Sequence, residues 1–155
     1  MSETQSAIRA QYRTTSNLDA RLRLHRDYST NAYGWFSWYL DQLNLPAGSR
    51  ILEIGCGPAA LWKDHLARID HSWQLVLSDY SPAMLRAARQ NTLGRLPVAN
   101  LDAQAIPFPT GYFDAVLANH MLYHVPDHAR AVAEIRRVLK PGGRLFAATN
   151  GATHM

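Results

Sequence analysis

The pattern of hydrophobic and polar positions changes character at Arg50. Beyond it, continuous apolar runs alternate with stretches of helical period. The run from Arg50 to Ile54, "WQLVLSD", the stretch from Pro97 to Leu101, "FDAVLAN" and "RLFAATN" predict five strands. Between them, Pro58 to Ile69 predicts a helix with proline near its start. "PAMLRAARQN" predicts a second, with Ser81 as its cap and Pro82 at its first position. "DHARAVAEIRRVLK" is amphipathic and is closed by "PGG". Strands that are apolar on both faces and are separated by helices imply a parallel sheet covered on both sides. Right-handed crossovers then bring the ends of all the strands, and any ligand, to one edge of that sheet.

The first fifty residues read differently. Asn17 can cap "LDARLRLHRDYS", in which Leu18, Leu22 and His25 share a face. Thr30 or Asn31 then opens "AYGWFSWYLDQLNL", and "PAGSR" leads into the first strand. Residues 1–49 are therefore expected to form a helical cap, and residues 50–155 the core domain.

Composition narrows the classes. The 155 residues carry sixteen Lys and Arg against twelve Asp and Glu, a net charge of +4 that is interspersed along the chain. No basic stripe of the kind nucleic acid requires is present. No run of eighteen apolar residues and no apolar leader is found, so neither a membrane span nor export is expected, and a cytoplasmic location follows. The single cysteine, Cys56, rules out an internal disulfide and a cysteine-rich zinc site.

The candidate chemistry lies where the first strand falls into a glycine turn. Gly55-Cys56-Gly57-Pro58-Ala59-Ala60 satisfies G-x-G-x-x-G/A, and Asp79 ends the second strand where a ribose-binding acid belongs. A dinucleotide site is open on this pattern alone. Three details point away from pyrophosphate. Glu53 sits two residues before the first glycine and suits a cationic ligand. Pro58 removes a backbone donor that a phosphate would use. Asp102 ends the third strand, where an acceptor can take the exocyclic amine of adenine while a neighbouring backbone N–H meets a ring nitrogen.

"ILEIGCGPAALW", "LVLSDYSPAML", "LDAQAIPFPTGYFDAVLANHMLYHVPD" and "EIRRVLKPGGRLFAAT" together resemble the class I S-adenosylmethionine-dependent methyltransferases, in particular the small-molecule group related to ubiquinone biosynthesis. The resemblance runs from Arg50 to about Asn150. It implies a Rossmann-like doubly wound sheet of order 3-2-1-4-5, S-adenosylmethionine as cofactor and a small-molecule methyl acceptor. It also implies that Gly55 and Gly57 admit the methionine end, that Asp79 holds the ribose hydroxyls and that Asp102 with Ala103 reads adenine. Asn119 and His120 would lie beside the sulfonium, and Glu53 and Tyr80 complete the expected cofactor contacts. Ala59 replaces the third glycine of the family's usual loop, a mild departure.

Methyl transfer from a sulfonium needs alignment and exclusion of water more than it needs a base. His120 is the candidate base, with a packing role as its alternative. His120, His124 and His128 recur every fourth residue, but Pro126 interrupts a helix there and no carboxylate or thiol completes a site, so no metal is expected. His124 reads as a turn-fixing residue, and Cys56 as a small loop residue. Tyr12, Tyr28 and Trp35 are the aromatic candidates for the acceptor pocket, and Arg26 for the cofactor's carboxylate. "ANHMLY" lacks the Asn/Asp-Pro-Pro-aromatic pattern of amine-directed nucleic-acid methyltransferases. A domain of the same fold that binds without catalysis is the rival from another class. The resemblance further implies that another helix and an antiparallel hairpin normally follow "TNGATHM". The last strands of the usual sheet are thus expected to be absent, leaving the fifth strand open to pairing with a second copy as a homodimer.

Overall fold

The structure, a computed structural model, describes residue 28 and residues 31–149. Five strands form: β1 (Arg50–Ile54), β2 (Gln74–Asp79), β3 (Val98–Asn100), β4 (Phe113–Asn119) and β5 (Leu139–Ala148). All neighbours pair in parallel, in the order β3-β2-β1-β4-β5. The expected fold and strand order are those observed. Among the described residues β5 pairs with β4 alone. None of their helices is long and apolar enough to cross a membrane.

The two-residue period of a strand sorts side chains onto two faces. On one face Ile51, Leu75, Leu77, Ala115 and Leu117 pack beneath three helices, α1 (Trp35–Gln42), α2 (Ala60–Lys63) and α3 (Pro82–Asn91). These contribute Tyr39, Leu61, Trp62, Leu85 and Ala88. On the other face Leu52, Ile54 and Val116 meet Ala131, Ile135 and Val138 of α4 (His128–Val138). Complete burial of a side chain such as Ile135 or Leu117 contributes roughly 1.5–3 kcal/mol.

The helix starts follow their caps. Ser81 Oγ accepts the Met84 N–H at 3.5 Å ahead of Pro82, and Asp127 Oδ1 accepts the Arg130 N–H at 2.9 Å.

Three boundaries differ from the sequence reading. The helix expected over 58–69 begins only after Ala59, ends at Lys63 and gives way to a 3-10 turn at Leu66–Arg68. Ala59 lies in left-handed backbone (φ 60°, ψ 39°), which delays the start, and the break lets Trp62, Leu66 and Ile69 all reach the core. The helix expected from Asn31 starts at Trp35, because Asn31 Oδ1 accepts the Tyr33 N–H in a local turn and Gly34 takes φ 75°. β5 begins at Leu139 rather than Arg144. Leu139 pairs with Phe113, and the Pro-Gly-Gly segment is absorbed as an irregularity before Arg144 pairs with Ala115. The helix beginning at Leu18, together with Tyr12, Arg26 and the segment from Asn150 onward, lies outside the described residues.

Candidate functional site

Strand alternation places Glu53, Asp79 and Asn119 at the C-terminal ends of β1, β2 and β4 on the face that carries Ile51, Leu77 and Leu117. The loops following these strands enclose a cavity of about 240 Å³. Glu53, Gly55, Gly57, Asp79, Tyr80, Asp102, Ala103, Asn119 and His120 all line it, so these nine expected residues converge on one space. No lysine or arginine among the described residues lines it.

The glycine turn is built from both sides. Gly55 (φ 68°) and Gly57 (φ 56°) occupy the left-handed region. A Cβ on Gly55 would lie 2.5 Å from Met121 Cβ, so this glycine also lets the loop after β4 close against the loop after β1. Gly55→Ala is expected to lower the melting temperature and to weaken ligand binding in the same cavity, since strain and clash act together. A thermal melt unchanged within error would contradict this. Ala59 adopts the same backbone region, so the departure from glycine there carries a backbone cost that its residue type did not announce.

Asp79 organises this turn. Its Oδ2 accepts the Gly57 N–H at 2.9 Å and its Oδ1 accepts the Ser81 N–H at 2.8 Å. Burial raises its carboxyl above the usual range, and the two backbone donors oppose that rise. From behind, Asn100 Nδ2 donates to the carbonyls of Asp79 (2.8 Å) and Tyr80 (3.0 Å), and Asn91 Nδ2 donates to that of Pro58 at 2.7 Å.

Glu53 is 4% exposed. Trp62 Nε1 donates to its Oε2 at 2.6 Å, and Ser78 Oγ donates to its carbonyl at 2.7 Å. Burial pushes its carboxyl up to about 7, with the Trp62 bond opposing the rise and the Asp79 charge adding to it.

Asp102 lies in a tight turn. Its Oδ1 accepts the Gln104 N–H at 2.8 Å, and Gln104 Nε2 reaches both oxygens, at 3.0 and 3.2 Å.

At the opposite wall, the Asn119 amide is buried, and neither its oxygen nor its nitrogen has a hydrogen-bond partner of normal geometry among the described residues. A buried amide without such a partner at a cavity wall is a polar group that calls for an explanation. The neighbouring Tyr39 phenol is raised by burial, with Asn119 opposing. His120 follows in left-handed backbone (φ 52°), its N–H donating to the Ala148 carbonyl at 2.8 Å and its ring 5.2 Å from that of Trp35. Trp35 therefore lines the cavity as expected, whereas Tyr28 is 78% exposed and does not. The three histidines do not share a helix face. His120 precedes a 3-10 turn at Leu122–His124, and His128 opens α4.

Several lining residues escape sequence reasoning: Met84, Gln104, Met121 and Tyr123. Met84 and Met121 are ordinary apolar residues in sequence, and only the packing of the loops brings them to the cavity. Trp62 could have been suspected, since an acid nine residues upstream on the same face would seek its indole donor.

A doubly wound sheet of this order, with acids at the ends of its first two strands and just past the third (Asp102 lies in the turn beyond Asn100, not in the strand) around a glycine turn, defines a nucleoside-binding domain of the methyltransferase class. The profile of the methyltransferase domain family matches residues 52–147, and the chain belongs to that family. Its cofactor is S-adenosylmethionine. The chain is similar to the ubiquinone/menaquinone biosynthesis C-methyltransferase UbiE of Bordetella avium, 36% identical over 115 residues that cover 72% of this chain and 45% of that protein. It thus spans about half the length of the curated relatives it matches. Among solved structures, a SAM-dependent methyltransferase from Thermotoga maritima superposes with a TM-score of 0.68 at 26% identity, covering 88% of this chain and 58% of that one. The [4+2]-cyclase SpnF superposes with a TM-score of 0.60 at 30% identity, covering 72% and 42%.

The residues present fit this cofactor. Acceptors are available for hydroxyls, an amine and an ammonium group, bare backbone is available for an amino-acid tail, and no lysine or arginine among the described residues is in place for a phosphate.

Proposed function

We propose that the chain holds S-adenosylmethionine in this cavity and directs its methyl group to a small-molecule acceptor by direct displacement. The observation that carries the reading is the charge of the lining: Glu53, Asp79 and Asp102 face one cavity that no lysine or arginine among the described residues enters. A pyrophosphate would meet repulsion there, whereas a sulfonium nucleoside would not. When bound, the sulfonium supplies an already activated methyl group.

On this reading Asp79 accepts the ribose hydroxyls with the lone pairs that Gly57 and Ser81 leave over, and Asp102 accepts the adenine amine beside Ala103. Gly55 and Gly57 let the amino-acid tail lie against the turn. Glu53 and the orphaned Asn119 amide take its ammonium end, and Tyr80 closes the wall beside Asp79. His120 and Trp35 bound the acceptor side, where the His120 imidazole receives a proton when the accepting atom must lose one.

A second reading, a cofactor-binding domain that does not transfer a methyl, draws support from the 30% identical relative named as a cyclase.

Calorimetric titration with S-adenosylhomocysteine, with NAD as control, tests the reading. Saturable binding of the first alone is expected, and binding of NAD instead would sink it. Binding with no transfer of labelled methyl to phenols, amines or activated carbon acids would favour the second reading.

A further inference from the structure

Every polar group of Gln104, which lines the cavity, is bonded to the residues around it. Its N–H donates to Asp102 Oδ1 at 2.8 Å, and its Nε2 donates to Asp102 Oδ1 and Oδ2 at 3.0 and 3.2 Å. Its Oε1 accepts the Asp127 N–H at 3.1 Å, and its carbonyl accepts Arg130 Nε at 2.8 Å. The side-chain amide therefore stands between the Asp102 carboxylate and the start of α4. The backbone N–H alone would fix one oxygen of Asp102 and leave the carboxylate plane free to turn. A second donor that spans both oxygens sets that plane. A carboxylate so held presents its remaining lone pairs in a fixed direction.

We infer that Gln104 is a positioning residue for base selectivity: its amide aims the Asp102 carboxylate at the exocyclic amine of the cofactor's adenine. The inference rests on the proposed function, in which Asp102 reads that amine. The same amide ties this end of the cavity to the far wall, because Tyr123 to Pro126, which line it, run directly into Asp127.

The competing role is plain support of the loop, and the structure separates the two. The loop backbone has its own anchors on α4. Glu134 Oε2 accepts the Ile106 N–H at 2.8 Å, and Arg137 donates to the carbonyls of Ile106 and Phe108, each at 2.8 Å. Arg137 is in turn paired with Glu134 at 2.7 Å. Removing the Gln104 amide thus releases the carboxylate without releasing the loop.

The test uses Gln104→Met, which keeps side-chain length and the backbone N–H while deleting the amide. Affinity is measured for S-adenosylhomocysteine and for S-inosylhomocysteine, whose base carries an oxygen in place of the amine. The unsubstituted chain is expected to prefer the adenine compound. In the variant S-adenosylhomocysteine binding falls about tenfold, the size of one or two lost hydrogen-bonding contacts. The inosine compound changes far less, so the preference collapses. Equal losses for both ligands would mean loop support alone and would overturn the inference, as would an unchanged preference. Asp102→Asn is the reference variant. If it leaves both affinities unchanged, the adenine reading of Asp102 fails, and the inference fails with it. If it destroys the preference while Gln104→Met does not, only the inference fails.

Discussion

Replacing Asp79 with alanine is expected to weaken S-adenosylhomocysteine binding by at least about a hundredfold, from the loss of two charge-assisted hydrogen bonds at roughly 1.5–3 kcal/mol each. Two effects add. The ribose loses its acceptor, and the N–H groups of Gly57 and Ser81 lose theirs, so the glycine turn relaxes even before a ligand arrives. Asp79→Asn separates the effects only in part. Its amide keeps one acceptor oxygen but turns an NH₂ toward one of the two backbone donors, so binding falls here too, by a smaller factor. Calorimetry on both variants, with a thermal melt to confirm that each is folded, measures the order. Tight binding retained by the alanine variant would remove Asp79 from the cofactor site.

The second large effect is a pH dependence centred on Glu53. Its carboxyl titrates near 7 in the folded chain against an ordinary value of 4.5. A raised carboxyl favours the folded state fully below its unfolded value, and that advantage is lost as pH rises through the folded value. Stability of the free chain should therefore fall between about pH 4.5 and 7 and level off above. Glu53→Gln keeps an oxygen for Trp62 Nε1 but cannot ionise. At pH 8 the variant is expected to be the more stable form by up to about 3 kcal/mol, the energy of a shift of this size. Asp79, also raised by burial, leaves a weaker slope of the same sign in the variant. Ligand binding should show the opposite face of this linkage. An ammonium group beside Glu53 favours its ionised form, so affinity rises from pH 5.5 to 8 in the unsubstituted chain and stays flatter in the variant. Melting curves and titrations across that range check both slopes. A variant no more stable than the parent at pH 8 would show that Glu53 ionises without cost.

The strands were legible because each is a short apolar run between turn-forming residues, and their order followed once the runs were taken as parallel. The acids at the ends of β1 and β2 and just past β3 were legible for a related reason: a charged residue that closes an apolar run has few places to go. What sequence did not disclose was how the loops are held. That Asp79 binds the glycine turn 22 residues before it is a consequence of packing between separate segments, whereas the grips of Trp62 on Glu53 and of Gln104 on Asp102 are nearer contacts set by how each loop turns. The helix over 58–69 failed for a similar reason. Its local propensity is adequate, but Ala59 is forced into left-handed backbone by the turn before it, and tertiary demand outweighs propensity over so short a stretch. Tyr28 fell outside the cavity because aromatic spacing cannot distinguish a wall from a surface.

On the proposed function, the acids of the lining also bear on turnover. Methyl donation converts a sulfonium into a neutral thioether, so the bound molecule loses one positive charge at the moment of reaction. A cavity lined by three acids, with no lysine or arginine among the described residues, is more hospitable to a sulfonium than to a neutral thioether. On the proposed function the spent molecule is therefore expected to be held less tightly than the fresh one, so that exchange between them runs downhill.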